Sequence, residues 1–190
     1  MFLSKKFKSI ALALMLTTLT SCATLVDESK IAYVTQDYAI NLPTPNLLPN
    51  GESQEALSIT YDNKSYSLVV MLQNDGSTLN LIALSDLGIK LFAASFDGTT
   101  IELKKYIAIN TLPKAQQVLL DIFLSHGTID NIKTLLPKGL CIQDEGLKRS
   151  ISLQDGSVIY AIDYALNDGQ KYPTRLEHKI FNYKIDIKKM

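Results

Sequence analysis

Apolar and polar residues alternate with a period of two along most of the chain beyond Glu55, and short turns rich in aspartate, asparagine and glycine separate the alternating segments. This alternation predicts half-buried strands, and Asx-Gly pairs supply the positive φ that tight hairpins require. The predicted strands are 56–61, 65–73, 78–84, 89–96 and 100–105, then 140–144, 149–154, 157–164, 173–180 and 183–188. Because their spacing is short and regular, we expect them to pair in sequence as antiparallel hairpins.

A helical pattern interrupts the strands at residues 113–136. Pro113 suits a first helical turn, and an apolar stripe with helical period follows it. The stripe consists of Ala115, Val118, Leu119, Ile122 and Phe123. Thr128 is the predicted N-cap of a second short helix, which Pro137 and Gly139 close.

These patterns predict a mostly β (α+β) fold: a curved antiparallel open-barrel sheet of about ten strands with a two-helix plug. Two short helices must then cover one long apolar face. Either they fill the interior completely or an apolar cavity remains for a ligand, and periodicity leaves both alternatives open. The residues expected to line such a cavity are Tyr66, Leu68, Val70, Leu72, Leu91, Leu119, Ile122, Phe123 and His178.

The amino terminus has the pattern of a secretory signal peptide over residues 1–21. Lys5, Lys6 and Lys8 precede an apolar run at 10–19, which is too short to span a bilayer. Residues 22–53 contain several prolines and are expected to form an extended tether, so a single β domain is predicted at 54–190.

The end of this segment, Leu19-Thr20-Ser21-Cys22, resembles the lipobox of bacterial lipoproteins. The resemblance implies removal of residues 1–21 and acylation of Cys22, which gives a durable membrane anchor. Ala23 follows the cysteine, and in Gram-negative lipoproteins a residue other than aspartate there implies the outer membrane, with the body in the periplasm. The alternative is a plain signal peptide in which Cys22 is incidental.

The amino-acid composition excludes several classes of function for this protein. The chain has 190 residues with 19 basic and 19 acidic side chains, so it lacks the basic excess of a general nucleic-acid binder. Two cysteines exclude a disulfide-dense scaffold and a cysteine-rich zinc site. Cys141 lies among aliphatic residues and is expected to be a small buried side chain.

The sequence carries no nucleophile-elbow, zincin, Walker or dinucleotide-binding motif, so we expect a protein that is not an enzyme and has no cofactor or metal. His126 is expected to cap the first helix or lie at the surface, and His178 to lie in the interior with a hydrogen-bond partner. Asp121 lies beside the apolar stripe without an identifiable partner for acid–base chemistry. Arg149 and Arg175 are expected to form salt bridges, with an anionic headgroup as the alternative partner.

The arrangement of lipobox, proline-bearing tether, five strands, helices and five more strands resembles the LolA/LolB lipoprotein-carrier architecture. More specifically, the chain resembles an uncharacterised DUF-type family of predicted lipoproteins associated with aryl-polyene gene clusters. The stretches that carry this resemblance are 81–84, 88–92, 96–98, 113–122, 135–140, Arg149, 176–177 and 182–187.

The resemblance implies an outer-membrane lipoprotein that binds or helps transfer an acyl or aryl-polyene lipid. The alternative is a structural lipoprotein with a filled core that docks envelope biogenesis machinery. The expected partners are the membrane, an acyl or polyene lipid, and an envelope protein, but no nucleic acid, and the expected state is a monomer.

Overall fold

An open antiparallel sheet forms the body of the chain. The computed structural model describes residues 25–28, 30–107 and 113–190, with Leu25–Glu28 described by their backbone alone. The strands are β1 (Leu25–Glu28), β2 (Ile31–Tyr33), β3 (Ala39–Asn41), β4 (Gly51–Tyr61), β5 (Lys64–Asn74), β6 (Leu79–Leu84), β7 (Lys90–Phe96), β8 (Ile101–Lys105), β9 (Leu140–Glu145), β10 (Lys148–Leu153), β11 (Val158–Asn167), β12 (Gln170–His178) and β13 (Tyr183–Lys189). Their order in the main sheet is β1-β8-β7-β6-β5-β4-β13-β12-β11-β10-β9, while β2 and β3 form a small separate pair.

This architecture confirms the predicted fold class. All ten predicted strands are present as β4–β8 and β9–β13, and neighbours in each group pair in sequence. The two groups join through β4 and β13, where Tyr61 lies opposite Tyr183 and Glu55 opposite Lys189. The sheet is curved, and its edge strands β1 and β9 do not pair, so it does not close into a barrel.

The predicted hairpin turns have the expected backbone geometry. Asp62 and Asn63 join β4 to β5 with φ angles of +50° and +56°, which suits a two-residue hairpin turn. Asp97 and Asp155 accept hydrogen bonds from backbone N–H groups of their own turns, as expected for aspartate in turns.

Two helices lie against the sheet within the predicted interval. Helix α1 (Ala115–His126) begins after Pro113, and α2 (Ile129–Leu135) has Thr128 as its N-cap, whose hydroxyl accepts the Asn131 N–H. One side of α1 fills the interior with side chains that are at most 1% exposed, and Phe96 meets Phe123 edge-on at 6.3 Å. These core residues of α1 are Leu119, Leu120, Phe123 and Leu124.

The carboxyl end of α1 is held by buried polar groups of the sheet. The Arg149 guanidinium donates to the carbonyls of Leu124 and Gly127 at 2.7 and 2.9 Å, and it also donates to Asp144 at 2.7 Å. The Tyr164 hydroxyl donates to the Ser125 carbonyl at 2.9 Å. These bonds satisfy carbonyls that a helix end leaves without a partner. Arg149 therefore forms the expected salt bridge and also fixes the position of α1.

The predicted tether is wrong over residues 30–50, which pack into the fold. Ala32 and Val34 are fully buried. The buried Asn74 amide donates to the carbonyls of Pro45, Leu48 and Pro49 at 3.1 to 3.2 Å. Apart from a short 3-10 helix at Pro45–Leu47, the segment is free of helix, as expected. A non-helical segment can still bury its side chains when a neighbour satisfies its backbone.

Two further expectations are corrected. Cys141 is exposed because it alternates with Leu140 and Ile142, which take the inward positions of β9. His126 is the last residue of α1, as expected, but it is not a surface group, since its side chain is 20% exposed and lies 3.4 Å from Glu55. The predicted signal peptide 1–21 and Cys22 lie outside the described residues.

Replacing Arg149 by lysine (R149K) is expected to lower the free energy of unfolding by about 3 kcal/mol, because one ammonium cannot replace the planar guanidinium at both carbonyls and Asp144. The matched control is R175K, since Arg175 is half-exposed and forms its salt bridge with Asp186 at 2.7 Å on the surface of the sheet. Its expected loss is below about 1 kcal/mol. Urea unfolding measures both, and equal losses would contradict the role of Arg149.

Candidate functional site

A buried polar cluster connects α1 to the second half of the sheet. Asp121 is 8% exposed, and its carboxylate accepts hydrogen bonds from the hydroxyls of Tyr183 at 2.7 Å and Tyr160 at 3.1 Å. Gln117, one turn earlier on α1, lies 3.3 Å from the carboxylate and 2.8 Å from the Tyr160 hydroxyl. We call these four residues the Asp121 cluster.

Burial controls the protonation of this cluster. It raises the pKa of Asp121 to about 7, although the hydrogen bonds from Tyr183, Tyr160 and Gln117 act in the opposite direction. Burial and the negative charge of Asp121 raise the pKa of both tyrosine hydroxyls well above 10, so they stay protonated and remain donors. Asp121 is therefore a carboxyl group that exchanges its proton near neutral pH.

His178 packs against the Asp121 cluster and is fully buried. Its ring lies 4.2 Å from that of Tyr160 and stacks on Phe181 at 4.3 Å, between ring centroids. Nδ1 accepts the Phe181 N–H at 3.1 Å, so the remaining ring proton is on Nε2. Burial lowers the pKa of His178 to about 4, and the Val34 backbone acts in the opposite direction. Nε2 has no hydrogen bond of good geometry to a described acceptor.

A second polar pair lies farther along α1. Glu55 on β4 is 3% exposed, and its carboxylate lies 3.4 Å from Nε2 of His126. The Tyr172 ring meets the His126 ring edge-on at 6.1 Å. Burial lowers the pKa of His126, with Glu55 acting against the shift and Arg149 with it. This pair holds the end of α1 over β4.

Between the two polar groups, half-buried apolar side chains follow the inner face of the sheet. Leu57 lies opposite Leu68, and Ile59 lies opposite Ile185. The register places them between Tyr183 of the Asp121 cluster and Glu55. Glu55 lies opposite Lys189, six residues after Tyr183 along β13, so the two polar ends are about 20 Å apart. Half-buried Val118 and Ile122 lie one turn apart on α1. We call these six residues the inner strip.

The predicted cavity residues are distributed around this strip. Leu68 and Ile122 belong to it, and Tyr66 lies on the same face of β5, 37% exposed. Val70, Leu72, Leu119 and Phe123 are core residues, at most 9% exposed. Leu91 alternates with the buried Phe92 at the register shift between β6 and β7 and is half-buried.

Among the described residues, the depressions that stand out lie elsewhere. One of about 300 Å³ is lined by Lys148, Val158 and neighbouring residues of β9–β11, and one of about 380 Å³ lies between Lys133 and Ile142. Neither depression includes a residue of the inner strip, whose side chains are half-buried. In the same part of the chain, no three His, Cys, Asp or Glu side chains are grouped to hold a metal ion.

The sequence indicated Asp121 and His178 but not their partners. Gln117 and Asp121 are spaced by four residues within an otherwise apolar helix, which signals a polar contact on that side. Glu55 gave no comparable signal, because it lies in the first half of β4, before the predicted strand 56–61 and before the inward face becomes apolar at Leu57.

Fold and site define a class of protein: an open, curved antiparallel sheet whose inner face holds a helix and an apolar strip with polar ends. The model of a family described as "Protein of unknown function (DUF3261)" matches residues 52–190, and the chain belongs to this family. The match covers both helices and the sheet from β4 to β13, and it confirms the expected DUF-type family. No curated protein matches the chain. No helix in the described ranges has the length and apolar character needed to cross a bilayer.

Replacing Asp121 by asparagine (D121N) is expected to remove a pH-dependent cost of folding. The pKa of Asp121 is higher in the folded chain, at about 7, than the usual 3.8, so ionisation destabilises the folded state as pH rises from 4 to 7. Over that range, the free energy of unfolding of D121N should rise relative to the parent by up to about 4 kcal/mol.

This comparison is necessary because His178 acts in the opposite direction. Its folded pKa of about 4 lies below 6.5, so it adds stability as pH rises from 4 to 6.5 and masks the contribution of Asp121 in the parent alone. Urea unfolding at several pH values measures the difference, with D86N in an exposed turn as the control. A parent-to-D121N difference that does not change with pH would contradict the buried carboxyl.

Proposed function

We propose that this protein is an outer-membrane-anchored periplasmic lipoprotein that binds, or helps transfer, a hydrophobic ligand with an acyl or aryl-polyene chain. The observation that carries the proposal is the inner strip, a set of half-buried apolar side chains between two polar groups that lie about 20 Å apart. An extended lipid chain has comparable length. Each methylene that leaves water on such a surface contributes roughly 0.8 kcal/mol.

The polar groups at the two ends suit a ligand with a polar terminus. The Tyr183 hydroxyl and the Asp121 carboxyl lie at one end, and His126 with Glu55 lies at the other. Hydroxyl, carboxyl and imidazole groups can donate hydrogen bonds to a headgroup and accept them from it. The strip between them offers only apolar contacts. This arrangement accounts for a binding protein whose sequence carries no catalytic motif.

Membrane attachment in this proposal comes from Cys22. The basic start, the apolar run and Leu19-Thr20-Ser21-Cys22 support it, as does the resemblance to lipoprotein carriers. The body of the protein is then held beside the membrane that supplies or receives the ligand.

The anchor predicts that Cys22 carries lipid. Cells grown with an alkyne-labelled palmitate should incorporate the label into the chain, and C22A should abolish incorporation, because the thiol and amine of this residue are the acylation sites. C141A is the matched control and should keep the label, since Cys141 is exposed on β9. Unlabelled parent protein would overturn the anchor.

The strip predicts a bound apolar molecule. The mature chain with C22S, purified from the periplasm without detergent, should show a stoichiometric lipid or polyene adduct by native mass spectrometry. I122Q places an amide on the strip and should lower adduct occupancy at least about tenfold, since desolvating an unpaired amide costs 1–3 kcal/mol or more. I129Q is the control, because Ile129 is also half-buried on a helix but lies on α2, outside the strip.

The alternative is a structural lipoprotein that docks envelope machinery. Two observations favour it: the interior side of α1 is fully packed, and apolar residues also occupy the outer face of the sheet. Met71 is 44% exposed there and lies opposite half-buried Ile82, next to the pair Val69 and Leu84. A clean apo mass without uptake of added fatty-acyl probes would reject the carrier and favour this alternative.

A further inference from the structure

The register of the sheet brings several separate turns to one end of the strands. Antiparallel strands return alternate turns to the same end. One end carries three turns and the end of β8. They are the turn 62–63 between β4 and β5, the turn 85–89 between β6 and β7, residues 106–107 after β8, and the turn 179–182 between β12 and β13. We call this end the anchor rim. The turns 75–77, 97–100, 145–147 and 167–169 lie at the opposite rim.

The anchor rim exposes large apolar and aromatic side chains. Leu87 is 86% exposed at the tip of its turn, which makes it the most exposed large apolar residue described, and Ile89 beside it is 54% exposed. The exposed large side chains of this rim include Tyr61, Leu87, Ile89, Tyr106, Ile107 and Ile180. They come from turns far apart in sequence, so their common location is a property of the fold. An apolar surface of this kind in water marks an interaction site.

Lysines surround these apolar side chains. Lys90 and Lys104 place their ammonium groups 5.2 and 5.3 Å from the centre of the Tyr106 ring, and Lys105 adjoins it in sequence. Tyrosine and lysine beside exposed aliphatic residues are typical of a bilayer interface, where the aliphatic part enters the hydrocarbon and the polar ends reach the headgroups. The β10–β11 turn at 154–157 lies at the same end of the strands. Asp62, Asp86 and Asp155 are the acids of the turns at this rim.

The opposite rim exposes fewer large apolar side chains among the described residues, Leu147 and Leu166, and more acids. Its turns carry Asp75, Asp97, Glu145 and Asp168. Backbone and hydroxyl donors within the turns lower the pKa of Asp75 and Asp97, so these carboxylates stay ionised. Such a rim is repelled by an anionic headgroup surface.

The backbone of β1 gives an independent reason to place a membrane at the anchor rim. Leu25, the first residue of β1, lies opposite Lys104 near the anchor-rim end of β8. Cys22 precedes Leu25 by three residues, and an extended chain spans at most about 3.6 Å per residue. A lipid on Cys22 would therefore hold this rim within roughly 11 Å of the bilayer.

We propose that the anchor rim lies on a phospholipid bilayer, with Leu87 and Ile89 inserted at the headgroup boundary and Tyr106 and the adjacent lysines at the headgroups. The anchor argument rests on the proposed function, whereas the exposed side chains and the lysines carry the proposal without it.

The test uses the absence of tryptophan from the chain, which makes one introduced tryptophan a unique reporter. The full chain with L87W is reconstituted in vesicles of phosphatidylethanolamine and phosphatidylglycerol that contain nitroxide-labelled phosphatidylcholine. L166W is the matched control, because Leu166 is 65% exposed in the β11–β12 hairpin at the opposite rim. Thermal unfolding checks that both variants fold.

We expect a blue-shifted emission from Trp at position 87 and strong quenching by a shallow nitroxide, with neither effect at position 166. Equal emission and quenching at both positions, with the chain still attached to the vesicles, would overturn the proposal while leaving the anchor intact. If the chain carries no lipid, the variants are mixed with the same vesicles. Quenching at position 87 would then support the rim without the anchor, and its absence would overturn the rim.

Discussion

The position of α1 depends on the polar groups that fasten it to β10–β13, and the rest of the inner face depends on α1. Arg149 bonds two carbonyls at the helix end and Asp144 on β9, while Asp121 bonds Tyr160 and Tyr183 farther back along the same helix. Apolar packing alone is non-directional and would let a short helix slide along a smooth sheet face. These hydrogen bonds fix the helix in rotation and along its axis, and they thereby set the positions of Val118 and Ile122 in the inner strip.

The contacts of Arg149 and of Asp121 stabilise the position of α1 in different ways. The Arg149 site pairs opposite charges and completes a helix end, so its removal leaves buried groups without partners. The Asp121 site buries a carboxyl group without a cation, and the cost of desolvation appears as a pKa of about 7. A residue that costs stability in its ionised form suits a site where a ligand's polar terminus takes part in the same hydrogen bonds. In the structural alternative, the same cluster orients α1 and nothing more.

Local patterns predicted the strands, the turns and the helical interval, because each depends on residues close in sequence. Asp62-Asn63 specifies its hairpin whatever surrounds it, and Thr128 caps a helix through a neighbour three residues away. The polar clusters escaped prediction because their partners are remote: Asp121 reaches Tyr160 and Tyr183 at separations of 39 and 62 residues. The packing of residues 30–50 likewise depends on Asn74, which the proline pattern does not indicate. The sequence could have predicted that Cys141 is exposed, because Leu140 and Ile142 on either side of it take the inward positions of the strand.

The strip and the anchor rim meet at one place on the molecule. Tyr183, at one end of the strip, is paired with Tyr61, and Tyr61 belongs to the exposed side chains of the anchor rim. The strip therefore begins at the rim that we assign to the bilayer and runs inward toward Glu55. An apolar chain leaving the bilayer along this route would meet the hydroxyl of Tyr183 and the carboxyl of Asp121 at the entrance. It would then exchange lipid contacts for those of Ile59, Ile185 and Leu57. Under the proposed function, these apolar contacts would offset part of the cost of moving methylene groups through water.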